Sequence, residues 1–268
     1  IDWGPVFERL DDHAAGRFLQ SQGYSYSHAG SLWWPTEWNS RAERNINLLS
    51  LPSNLMLLLD TTLLQPIAQG LGIAPLDFRL QQWRRIRYQF AELEKLPALP
   101  GPKFVFAHLL VPHEPYVFNP DGSFVSRSEL AHRSEAENYC NQVAFTNRRV
   151  LQLIDLLLAD SKVPPVILLQ GDEGSFPVRY RKNERDFDWK QATPDELREK
   201  VSILNSYYLP GADAKALFPS ISPVNSFRVV FSLYFGTNLP LLTDRTFAHE
   251  NDRHPYTWFE VTSTVAPE

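Results

Sequence analysis

The chain has 268 residues, 43% hydrophobic and 21% charged, enough for one large α/β domain or two small ones with a sizeable core. Its 26 basic and 31 acidic residues leave a net charge of −5, and without a face of clustered Lys and Arg no nucleic-acid partner is expected. The single cysteine, Cys140, excludes an internal disulfide and a cysteine-built zinc site, and no apolar run approaches the roughly 18 residues of a membrane span.

Residues 6–20 carry helical periodicity, with Phe7, Leu10, Ala14, Phe18 and Leu19 on one side and Gly23 as the stop. Residues 24–28 read as a short strand, and residues 30–54 as a loop rich in aromatics. Helices are expected over 55–71 and 76–93. In the second, Arg84, Arg85 and Arg87 alternate with Trp83, Ile86 and Tyr88 and are assigned to the solvated face. A proline-rich hinge at 97–102 precedes a continuous apolar run, 104–111, as in a strand buried on both faces. The next helix is long, opens on the capping box Ser126–Glu129, and places Cys140 as a small core residue. Residues 166–170 and 203–209 are further buried strands, 227–235 a short helix or strand, and 257–261 a last strand. Strands alternating with amphipathic helices predict an α/β fold with a largely parallel sheet, in a single domain spanning 1–268.

In such a sheet, functional groups gather beyond the carboxyl ends of the strands. Two of those ends carry polar clusters. In Val111-Pro-His-Glu-Pro-Tyr116, two prolines stiffen the turn around His113. In Gly171-Asp-Glu-Gly174, adjacent carboxylates are costly to hold together unless a cation or a proton neutralises them. Taken singly, an ordinary Asp-x-Gly turn and a satisfied loop histidine are the simpler readings of the two clusters. Trp33, Trp34 and Trp38, with Arg41 and Arg44 nearby, suit a glycan or lipid head group, or a loop packed by its own aromatics. Arg179, Tyr180, Arg181 and Lys182 suit a basic lid over an anionic substrate, or a solvated loop. His108 reads as buried mid-strand structure. His249 and His254 read as a surface loop, or as a second metal contact.

The run from Phe104 to Tyr116, FVFAHLLVPHEPY, resembles the His-x-Pro-[Tyr/Phe] segment of sulfatases and of their lipoteichoic-acid-synthase-like and phosphoethanolamine-transferase-like relatives in the alkaline phosphatase superfamily. The run from Val166 to Gly174, VILLQGDEG, resembles their strand ending in Asp-[His/Asn]-Gly; LNSYYLPG from Leu204 and PSISPVNSFR from Pro219 resemble the segments that follow. The resemblance runs from about Phe7 to Val261. It implies a three-layer α/β/α sandwich and a metal-dependent hydrolase or transferase acting on phosphate or sulfate esters. It implies Asp172 and Glu173 as ligands of a divalent metal (Mn, Mg, Ca or Zn), with Glu173 where the family has His or Asn, which favours the harder cations. His113 would be the catalytic contact to the transferred group, with Trp34, Arg41 and Arg179 as substrate contacts. The expected partner is an anionic ester, lipid- or glycan-linked, met outside the cytoplasm of a bacterium by a domain attached to upstream transmembrane helices. The family's first Asp ligand and its Thr, Ser or modified Cys nucleophile have no counterpart here, so the chain is expected to lack its N-terminal strand and nucleophile segment. A non-catalytic binding or structural domain of a membrane protein is the alternative expectation.

Overall fold

In the computed structural model, which describes residues 3–48, 61–62 and 77–266, the chain is α/β and divides into two compact units, Ile1–Val163 and Pro164–Glu268. The helix expected over 55–71 lies outside the described residues.

The first unit is built on a parallel sheet of three strands in the order β2-β1-β3: β1 Ser25–Ala29, β2 Arg44–Ile46 and β3 Lys103–Ala107. Strand β1 is central and has four buried residues in succession. Strand β3 is paired along β1 and is half exposed; Phe106 keeps 38% of its surface in solvent. The expectation of a strand covered on both faces fails there, because a continuous apolar run does not fix how many layers cover it. The N-terminal helical run is two helices, Gly4–Asp11 and Ala14–Ser21. They are broken at His13, whose ring caps the second by accepting from Gly16 N–H at 2.9 Å. The Phe78–Leu93 helix begins at Asp77, whose carboxylate accepts from Arg79 and Leu80 N–H. The long helical run is also two helices, Arg127–His132 and Glu135–Asp160, each opened by its own capping box, Ser126 with Glu129 and Ser134 with Glu137.

Core packing in this unit centres on Ile86, Phe90, Val117, Phe118 and Phe145, with Phe118 and Phe145 stacked at 3.8 Å. Burying such side chains stabilises the unit by roughly 1.5–3 kcal/mol each. Two expectations are corrected here. Arg85 is 1% exposed, not solvated, because it faces loop carbonyls instead of water. Cys140 is exposed, because the long helix buries Asn138, Gln142, Phe145 and Thr146 and so turns position 140 outward.

In the second unit β4 Ile167–Gln170 pairs antiparallel with β5 Asn205–Tyr208, so the largely parallel sheet is confined to the first unit. Apolar strands of this length carry no mark of direction. β4 is only partly buried, which corrects the expected two-sided burial. A second antiparallel pair joins β6 Phe247–His249 to β7 Trp258–Glu260. Residues 227–235 are helical, within Pro223–Phe235, which ends on Gly236 at φ +64°. The core here is Tyr180, Phe187, Trp189, Leu197, Ala248 and Val261.

Candidate functional site

The loops leaving the carboxyl ends of the three parallel strands are tied down by one face of the Phe78–Leu93 helix. Gln89 donates to Gly30 O after β1 at 2.7 Å, Arg85 to Asn47 Oδ1 and Leu48 O after β2 at 2.8 and 3.2 Å, and Gln82 to Leu110 O after β3 at 3.0 Å. Their spacing along the chain puts all three on one helical stripe. Burial lowers the pKa of the Arg85 guanidinium to about 10, with Glu37 at 4.0 Å acting in the opposite sense.

That bracing reaches His113. Gln142, wholly buried, donates to Pro112 O and His113 O at 3.1 and 2.8 Å and accepts from Val117 and Phe118 N–H at 2.8 and 3.3 Å. The turn is therefore gripped from beneath while the imidazole stands exposed. The peptide bonds before Pro112 and Pro115 are cis. His113 Nδ1 donates to Glu114 O at 2.6 Å, which leaves Nε2 as the nitrogen without a partner among the described residues.

Beside β1 and β3 lies a polar network missed in the sequence. His28 and His13 bracket the Tyr26 hydroxyl at 3.2 and 3.0 Å, and His28 Nε2 donates to Thr36 O at 2.8 Å. The Thr36 hydroxyl meets His108 Nδ1 at 2.7 Å and the Ser31 hydroxyl at 3.0 Å. His108 stands just past the end of β3, half-buried, not mid-strand. Gly30 makes this possible: a Cβ there would lie 2.2 Å from Glu37 O. Strand alternation put Tyr26 and His28 on one face; nothing local signalled Thr36.

In the second unit, Gly171 N–H extends the ladder to Leu204 O at 2.8 Å, and the exposed Asp172 and Glu173 follow it, Glu173 with about half of its side chain covered. Asp172 Oδ1 accepts from Glu173 N–H at 3.1 Å, and Glu173 Oε2 lies 3.6 Å from Lys200 Nζ. Lys200 is itself largely buried, 4.4 Å over the Phe176 ring and 4.7 Å over Trp189. Burial lowers its pKa, and the neighbouring Glu173 carboxylate opposes that. Gly174 fixes the approach: its N–H bonds Lys200 O at 2.7 Å, and a Cβ would stand 2.0 Å from Glu199 O. That glycine brings the loop against a helix end, not a ligand against the loop.

Among the described residues no three His, Cys, Asp or Glu side chains gather into a cation cage. Two successive carboxylates do fit Mg²⁺ or Mn²⁺, since Mg²⁺ is commonly held by one or two carboxylates with waters and substrate oxygens completing the shell. They lack the nitrogen and sulfur donors zinc prefers.

The remaining expected contacts have partners within their own units. Trp34 is 59% exposed and packs edge-on against Phe7 at 4.5 Å. Arg41 is exposed beside Asp12 at 3.5 Å. Arg179 is committed within its own unit, to Glu196 at 3.1 Å, Gln191 O at 3.0 Å and the Phe187 ring at 5.1 Å. His249 bonds Asp252 at 3.2 Å, and His254 bonds Asn251 at 3.1 Å. No family model, curated protein or solved structure matches this chain.

Proposed function

We propose that the chain is a sulfatase-like α/β/α domain of the alkaline phosphatase superfamily, handling phosphate or sulfate esters as a hydrolase or transferase with a divalent cation. The observation that carries the reading is the presentation of His113: a turn fixed by buried Gln142 with an exposed ring whose Nε2 no described residue engages. In the neutral ring Nε2 accepts a proton; in the imidazolium it donates to the charge that develops on a transferred group. Asp172 and Glu173 are the residues that would hold Mg²⁺ or Mn²⁺, and the cation would supply polarisation of the ester and a lowered hydroxyl pKa. The proposal assigns this chain oxyanion contact and cation binding, and no nucleophile. The substrate class is an anionic ester, lipid- or glycan-linked, at the outer side of a bacterial membrane.

One observation favours a second reading, a non-catalytic binding or structural domain. The Lys200 ammonium already faces Glu173, so the loop is neutralised in part without any metal. Calorimetric titration with Mn²⁺ separates the two. Uptake abolished by Asp172→Ala, with binding of nitrophenyl phosphate or nitrophenyl sulfate weakened in His113→Ala, supports the enzyme. Uptake that ignores Asp172→Ala, or none, leaves the binding domain.

A further inference from the structure

The outer face of the Phe78–Leu93 helix borders a cleft of about 500 Å³, lined by Trp83, Arg87, Ala91, the turn Asp121–Ser123 and Arg149. That size suits a small organic ligand. The Arg87 guanidinium lies 4.3 Å over the Trp83 ring and, among the described residues, has no carboxylate or carbonyl partner. Its fork of N–H donors is therefore backed by the indole and left open. The indole is anchored in turn, since Trp83 Nε1 donates to Gly122 O at 3.0 Å. Gly122 sits at φ +89°, and a Cβ there would crowd the Phe145 ring at 3.1 Å, so the wall of the cleft depends on that glycine.

Two further guanidiniums stand close by. Arg149 lies 5.1 Å over the Phe90 ring, with Nη2 donating to Glu94 at 2.6 Å and Nη1 to Gln152 Oε1 at 3.0 Å. Arg148 Nη2 comes within 3.8 Å of the point a Gly122 Cβ would occupy. Against them stand Glu94, engaged by Arg149, and Asp121, whose Oδ1 accepts from the Ser123 N–H and hydroxyl at 2.9 and 2.7 Å. On a chain of net charge −5, this spot is locally cationic.

We infer that this cleft is an oxyanion-binding site, with Arg87 as its principal contact and Arg149 as the second, taking a phosphate, sulfate or carboxylate group carried on a small molecule. A planar guanidinium held over an indole is suited to two-point hydrogen bonding to such a group. None of its residues is assigned to ester chemistry, and it does not rest on that assignment.

The test follows the seven indole N–H resonances of the ¹⁵N-labelled protein during titration with inorganic phosphate and with glucose 6-phosphate at constant ionic strength, Trp83 being assigned by Trp83→Phe. A saturable shift of the Trp83 signal, weakened about tenfold or more in Arg87→Ala and unchanged in Arg84→Ala, is the expected result. Tighter binding of the sugar phosphate than of the free ion identifies an ester as the natural source; the reverse identifies the free anion. Both variants replace exposed side chains, and far-UV dichroism verifies that each folds. A Trp83 signal that stays still, that drifts with all the others, or that titrates alike in Arg87→Ala overturns the inference.

Discussion

His13, Tyr26 and His28 form a chain of hydrogen bonds with backbone groups at both ends: Gly16 N–H gives to His13 Nδ1, and His28 Nε2 gives to Thr36 O. Those ends set the direction of every proton between them, so His13 gives to Tyr26 and Tyr26 to His28. Protonating either ring puts a donor where an acceptor is needed. Burial lowers the pKa of both imidazoles below the ordinary 6.5, and the carboxylates of Asp11 and Asp12 oppose it at His13, with Arg17 reinforcing it. The folded state thus binds these protons less readily than the unfolded chain. Stability from the pair is complete above about pH 6.5 and is lost as pH falls below it. The thermal midpoint should drop between about pH 7 and pH 5, and less steeply in His28→Asn. Equal slopes in the two proteins would show that the chain is not what titrates.

The Glu135–Asp160 helix carries the clamp under His113. Gln142→Leu leaves the partners Pro112 O, His113 O, Val117 N and Phe118 N without their side chain, and should lower stability by about 3 kcal/mol or more in urea titration. Asn147→Ala, on the exposed side of the same helix, should stay within about 0.5 kcal/mol. Comparable losses in the two would deny the clamp any special part. Much at this scale is legible in the sequence. Ser126 with Glu129 announces a helix start, and the Pro-His-Glu-Pro turn and the Gly-Asp-Glu-Gly loop both follow strands, as their composition suggests. What escapes is polar burial. Gln82, Arg85 and Gln89 look like the wet side of a helix because their partners, the carbonyls of distant loops, leave no trace in local periodicity. The Lys200 ammonium escapes for the same reason: only the fold brings it to Glu173.

At the scale of the molecule, each unit has a core of its own, Ile86–Phe90–Phe118–Phe145 in one and Tyr180–Phe187–Trp189–Leu197 in the other. A unit with its own core is able to fold alone. Residues 164–268 expressed separately should melt cooperatively and keep a near-ultraviolet dichroism signal from Trp189, which sits 4.8 Å from Phe187 and 5.0 Å from Tyr180. A featureless near-ultraviolet spectrum would show that this core needs the rest of the chain. The same core has a consequence for the acid loop. Lys200 lies on Phe176 and Trp189, so the positive charge facing Glu173 is covalently tethered and cannot be dialysed away. Chelating buffers should leave the loop's shape intact, and an incoming ion must compete with an ammonium that never diffuses off.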